Sequence, residues 1–236
     1  MTSVAMKKES FKIFDAIASR YDFVNTVLSL GMHRGWRAAL REKVVDGPRE
    51  APLKVLDLAT GTGDVALALA EDARIGRVIG LDLSEGMLEV GRRKVAAASL
   101  DSRVTLQHGD AMHIQQEGFD AATMAFGIRN VRDPLECLRQ IHNSLHPGGR
   151  VVILEFGLPR VRWFRVLHLF YLRCILPHLG RALTGHQFAY RYLNETIETF
   201  PYGAGFTGLM EQAGFAETGF QPLTMGVVHL YWGARR

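Results

Sequence analysis

The sequence predicts an α/β fold, a mostly parallel sheet covered by helices on both faces and preceded by an N-terminal helical cap. Three observations carry this. Short, nearly continuous apolar runs alternate with helix-period segments from Val55 onwards, as strands buried on both faces require. Turns rich in Gly and Pro separate the segments. Two β-rich runs with no helix between them close the chain, as an antiparallel hairpin at a sheet edge would.

In chain order, Phe11, Phe14, Ile17, Ala18 and Tyr21 recur at helical spacing and lead through Val24, Val27 and Leu28 into a Gly-containing turn and a second helix, Trp36–Val45. Asp46-Gly47-Pro48 ends this cap. Strands are then expected at Val55–Ala59, Val78–Asp82, Val104–Gln107, Phe119–Phe126 and Val151–Phe156. Helices are expected at Val65–Ala70, from Ser84 onwards, and over Pro134–Leu145, with His146-Pro147-Gly148-Gly149 turning into the fifth strand. A basic, aromatic-rich stretch follows Gly157. Helical order resumes at Tyr190–Phe200 and Phe206–Ala213, where Gly214 reads as a C-cap. Ala216–Leu223 and Gly226–Trp232 form the closing hairpin. We read one domain over 1–236: a cap at 1–50, a cofactor-binding core at 51–157, an insertion at 158–200, and a C-terminal helix and hairpin at 201–236.

The 236 residues are 47% hydrophobic and 22% charged, which excludes extensive disorder. Two cysteines, Cys137 and Cys174, cannot make a disulfide scaffold and suit a reducing, cytoplasmic setting. The opening residues show no signal-peptide pattern, and no run reaches the roughly 20 apolar residues of a membrane span; Trp163–Leu179 is broken by Arg165, His168 and Arg173. No metal-binding motif is evident. The net charge of +4 lies entirely in residues 157–236, where eight Arg face four Glu. Five of these arginines fall between Arg160 and Arg181 with no acid among them, which fits either an anionic partner or a solvated helix face.

The strand ends are polar. Ala59-Thr60-Gly61-Thr62-Gly63-Asp64 follows the first strand, and Gly61 and Gly63 allow close backbone approach to a ligand. Asp82, ending the second strand, could accept both ribose hydroxyls, and Asp110, ending the third, an exocyclic amine. Asp57, within the first strand, is a ligand contact or a partner for the glycine-turn amides. The same stretch also fits the dinucleotide form G-x-G-x-x-A, the pattern of an NAD-dependent reductase. A pyrophosphate would meet Asp64 at the helix N-terminus, so this electrostatic argument favours S-adenosylmethionine, whose sulfonium and ammonium are cationic.

These motifs, with Ala125-Phe126-Gly127-Ile128-Arg129-Asn130-Val131, His146-Pro147-Gly148-Gly149-Arg150 and Leu154-Glu155-Phe156, closely resemble the ubiquinone/menaquinone C-methyltransferase family. The match recurs from Phe14-Asp15 to Tyr21-Asp22 and Asn25, at Tyr190–Leu193, and at Ala213-Gly214-Phe215, so it spans nearly the whole chain. The resemblance implies a class I S-adenosylmethionine-dependent methyltransferase with a Rossmann-like, seven-stranded sheet and an antiparallel edge strand. It implies C-methylation of a polyprenylated quinol, naphthoquinol or benzoquinol, with Thr62, Asp82, Asp110 and Ala111 at the cofactor beside Asp57, Gly61 and Gly63. Ala125 stands where family members often carry Ser or Asn.

Methyl transfer to a ring carbon needs an electron-rich ring, so the neighbouring hydroxyl, with a reference pKa near 10, must lose its proton. Arg129 is the candidate cation for that phenolate, or else it pairs with a carboxylate to hold its loop. Asn130 would orient the ring oxygen or cap the loop, and Tyr21 would contact substrate. Tyr21, Asp22, His33, His113 and water are open as proton acceptors. The Trp163–Leu179 stretch would lie on an anionic membrane surface or cover the substrate. Its arginines alternate with Leu, Phe and Val, which speaks against nucleic acid as partner, and a homodimer is left open.

Overall fold

The computed structural model describes residues 15, 18, 21–47, 52–178 and 187–236. The helical segment expected from Phe11 lies mostly outside them. Its continuation is α1, Tyr21–Leu28, followed by α2, His33–Val44. The core then runs β1 (Leu53–Leu58), α3 (Asp64–Ala70), β2 (Ile75–Asp82), α4 (Glu85–Ala97), β3 (Val104–His108), β4 (Phe119–Ala125), a short 3-10 turn at Ile128–Asn130, α5 (Pro134–Ser144) and β5 (Leu145–Phe156). After it come α6 (Arg162–Phe170), a π-helical turn at Tyr171–Ile175, α7 (Gln187–Thr199), α8 (Ala204–Gln212), β6 (Ala216–Leu223) and β7 (Val228–Ala234).

The seven strands lie in the order β3-β2-β1-β4-β5-β7-β6. β1 to β5 pair in parallel, whereas β7 runs antiparallel to both β5 and β6. The closing hairpin thus forms one edge, with the last strand slotted inside β6. Successive residues of β1 point to opposite faces. Val55 joins a core with Leu40 of α2, Leu69 of α3 and Leu88 of α4. Leu56 joins the other core, with Leu138 and Ile141 of α5 and Phe206 of α8. Both residues are fully buried.

Local chemistry fixes the boundaries. Ser84 caps α4 by accepting from Met87 N at 3.2 Å, and Asp133 caps α5 by accepting from Leu135 N and Glu136 N, with Pro134 starting the helix. The expected turn at His146–Gly149 is a bulge within β5: Leu145 pairs with Phe119, yet the next pair is Arg150 with Ala121. Gly214 closes α8 at φ +102°, where a side chain would be strained, and Phe215 N donates to Met210 O. A third cluster of Val24, Leu158, Leu172, Leu176 and Ile197 packs α1 against the segments that follow β5. Among the described residues no helix is long and apolar enough to cross a membrane.

Candidate active site

The sheet order reverses between β1 and β4, so the loops leaving these strands diverge and leave a crevice. Both loops begin with a residue in the left-handed region, Ala59 at φ +50° and Phe126 at φ +57°. Each costs of order 1 kcal/mol without a glycine's freedom. The two meet through Gly127, where a Cβ would lie 2.7 Å from that of Ala59. Two cavities open here. The smaller, about 270 Å³, runs over the ends of β1, β2 and β3, and the larger, about 580 Å³, extends beneath α1 and α6. They share Tyr21, Ala59, Gly61, Ala125, Phe126 and Asn130.

The structure brings Tyr21, Gly61, Asp82, Asp110, Ala111 and Asn130 together around the smaller cavity. Asp82 fixes the glycine turn: its carboxylate accepts from Gly61 N at 2.8 Å and from Ser84 N at 2.9 Å. Burial raises its pKa against the pull of these amides. Asp110 accepts from Met112 N at 2.9 Å through one oxygen. Its other oxygen lies 3.6 Å from His113, a side chain 78% exposed and therefore poorly placed to act as a base. Burial also raises the Tyr21 hydroxyl, which shares a hydrogen bond with Asn25.

Three of the expected cofactor residues lie outside the smaller cavity. Asp57 is buried behind the turn, with Thr60 Oγ1 donating at 2.6 Å and Thr123 Oγ1 at 2.7 Å, so it buttresses the loop through hydroxyls. Burial pushes its pKa up to about 6. Thr62 is also buried, and its hydroxyl donates to Asp22 at 2.6 Å. Gly63 lines neither cavity; at φ +76° it caps α3, and a Cβ there would press to 3.0 Å on Leu106.

Asp64 overturns the electrostatic argument drawn from it. Arg37 and Lys94 both bond its carboxylate, and Lys94 also reaches Asp22 at 2.8 Å. Two acids and two bases cancel, so Asp64 offers an anion no net repulsion. The preference for a cationic cofactor rests instead on Asp82 and Asp110.

Arg129 takes the second of its two sequence readings. Its Nη1 donates to Glu155 at 2.5 Å and to Phe126 O at 2.7 Å, and its guanidinium lies 5.1 Å from the Phe156 ring centre. Arg129 and Glu155 are 5% and 1% exposed. The Glu155 carboxylate also accepts from the backbone of Arg129 and Phe156. A buried pair of this kind is electrically neutral, so Arg129 does not present the cavity with a bare cation. Glu155 was missed in the sequence, although a single acid at the end of an apolar strand was the available signal. His33 Nδ1 shares a hydrogen bond with Ser29 at 2.6 Å, and the Asp22 carboxylate accepts from Thr62 and Lys94.

Comparison with known proteins agrees with this geometry. Residues 1–235 match the model of the ubiE/COQ5 methyltransferase family. The chain is 41% identical over 227 residues to the ubiquinone/menaquinone biosynthesis C-methyltransferase UbiE of Geotalea daltonii, covering 95% of each. It is 40% identical over 223 residues to the demethylmenaquinone methyltransferase of Thermus thermophilus, covering 94% of this chain and all of that one. The fold is shared with the Haemonchus contortus phosphoethanolamine N-methyltransferase 2 in complex with S-adenosyl-L-methionine, at TM-score 0.62 and 16% identity, over 85% of this chain and 52% of that one. With the family model matching almost end to end and these relatives near 40% identical over almost the whole chain, the chain belongs to the ubiE/COQ5 methyltransferase family.

Proposed function

We propose that the protein methylates a ring carbon of a polyprenylated quinol with S-adenosylmethionine. The observation that carries this is the pair of cavities meeting at Tyr21, Ala59, Gly61, Ala125, Phe126 and Asn130. A two-substrate transfer needs two compartments with one shared wall, so that the reacting atoms meet while water is excluded. The donor fits the smaller cavity, with Asp82 toward its ribose hydroxyls and Asp110 and Ala111 toward its base. When bound, it supplies a methyl group on a positively charged sulfur. Ala125 presents only a methyl at the junction, which leaves room for a ring. Phe126 and Phe156, with ring centres 4.5 Å apart, offer aromatic faces beside it. Arg129 and Asn130 border the ring end and supply polar contacts to its oxygens.

The larger cavity suits an isoprenoid tail, with Val24, Leu28, Leu172, Leu176 and Ile197 along its wall. Its mouth is apolar too: Leu30, Met32, Leu167, Phe170 and Ile175 line it and are 38–83% exposed. With Trp163 and Val166, each 65% exposed, and Arg162 and Arg165 on the same helix, this rim suits an anionic bilayer surface from which the tail enters without crossing water. Relatives named for both quinone types match at similar identity, so the test offers demethylmenaquinol and the demethyl precursor of ubiquinol side by side. Methyl incorporation into either ring supports the reading. Binding of the donor with no methylation of either refutes it.

A further inference from the structure

The described residues contain five buried side-chain polar atoms without a hydrogen-bond partner: Arg129 Nε, Asn130 Oδ1, His168 Nε2, Asn194 Oδ1 and His229 Nδ1. Buried polar atoms are almost always satisfied, so each needs an explanation. Three of these residues, Arg129, Asn130 and His168, line the larger cavity. Several other polar walls of that cavity are engaged within the protein: Ser29 with His33, Thr60 with Asp57, Thr224 with Trp36, and the Tyr171 hydroxyl with Leu28 O. Arg129, Asn130 and His168 are the residues of its lining that carry an unsatisfied buried polar atom.

Arg129 and Asn130 sit on the loop after β4. His168 comes from a different element, α6. One helical turn before it on the same face, Phe164 packs against the core with Phe126 and Phe156. Four residues after it, Leu172 packs against Val24. The imidazole thus stands between the aromatic end of the chamber and its aliphatic end, in surroundings where a polar group has no other use. Burial lowers its pKa, and no charged neighbour opposes this, so it is neutral at pH 7 and Nε2 can serve as an acceptor. The Nδ2 of Asn130 donates to Phe126 O, which leaves its orphaned Oδ1 as an acceptor as well.

Building on the quinol reading, we propose that His168 is a substrate-binding residue, its Nε2 accepting a hydrogen bond from one ring hydroxyl while Asn130 Oδ1 accepts from another. The oxidised ring carries carbonyls, which cannot donate to either acceptor, so the pair favours the reduced form. No proton needs to leave the hydroxyl for this contact. The other titratable or charged side chains lining the chamber are Tyr21, His33, Arg37, Asp57, Asp64, Arg129 and Tyr171. Asp64 and Arg37 neutralise each other, and Arg129 is neutralised by Glu155.

The test uses the whole protein with a short-chain demethylmenaquinol, alongside a monomethyl ether of that quinol as a binding competitor. His168→Phe should raise KM about tenfold, the worth of one such hydrogen bond, with kcat changed less and donor affinity, read by titration, unchanged. His168→Gln, which can still accept, should restore most of the loss. On the acid side, wild-type kcat/KM should fall as His168 protonates, below its ordinary pKa of about 6.5, and that limb should vanish in His168→Gln. Unchanged KM and pH profile in both variants, with the wild type active, would overturn the proposal. An inactive wild type would instead overturn the quinol reading. If His168→Phe melts early, the Gln variant and the competitor decide: an acid limb that persists in His168→Gln, or an ether that binds the wild type as tightly as the quinol does, counts against the contact.

Discussion

Glu155 is the point at which stability and chemistry can be separated. Replacing it by Gln keeps one oxygen for Arg129 Nη1 and Phe156 N but sets an amide where Arg129 N now donates at 3.3 Å. The guanidinium stays buried with its counter-charge gone. Breaking a buried pair in this way costs about 3–5 kcal/mol. At roughly 2–4 °C per kcal/mol for a chain of this size, Tm should drop by about 6–20 °C. Arg129→Met combined with Glu155→Leu removes both charges and should recover most of that loss, because no uncompensated ion remains. Calorimetry on the two variants measures this, and methylation by the double variant then reports the arginine's role. A folded double variant that turns over normally means the pair only holds the loop, whereas a folded, inactive one means the ring needs the guanidinium donor. A Glu155→Gln midpoint within about 1 °C of wild type would refute the reasoning, since a buried, bonded carboxylate cannot be that cheap.

Asp82→Ala should weaken donor binding at least tenfold by titration calorimetry, because it loses a ligand contact and frees the Gly61 turn. Asp57→Asn should stabilise the protein at pH 7 by about 2–3 kcal/mol, since the carboxyl titrates near 6 when folded and near 4 when unfolded. The cost it relieves is present above the folded value and disappears as pH falls from about 6 to about 4, so urea midpoints of variant and wild type should converge there. His229, 1% exposed and held down to about 4 by burial, has the opposite sign. It stabilises the fold above about 6.5 and loses roughly 2 kcal/mol, after allowance for screening, as pH drops from there to 4; His229→Phe should flatten that slope in urea titrations.

Much of this architecture was legible because it is local. The strands are apolar runs, and Ser84 and Asp133 sit where helix caps must. Asp82 and Asp110 declared themselves as acids at strand ends. What failed was the reading of charge without neighbours. Asp64 looked like a bare acid at a helix start, but its neutralising partners come from 27 residues before it and 30 after. For Arg129 a carboxylate partner was foreseen but not its identity: β5, paired beside β4 with Ala125 opposite Leu154, brings Glu155 to it. Adjacent strand ends make that pairing inferable once the sheet order is known, and the order is what the sequence lacks. His168 gave no signal at all, since a lone histidine in a basic, apolar helix reads as surface.

The sheet order also bears on how the chain is made. β6 emerges from the ribosome before β7, yet among the described residues its only neighbour in the sheet is β7. During translation β6 has nowhere to dock, while β1 to β5, which carry the crevice, already have one another. The wait ends only when Val228–Ala234 arrives and zips against β5 on one side and β6 on the other. A nascent chain stalled at Leu223 would therefore hold the donor's half of the protein beside a dangling, strand-forming tail, the form most exposed to pairing with the wrong neighbour.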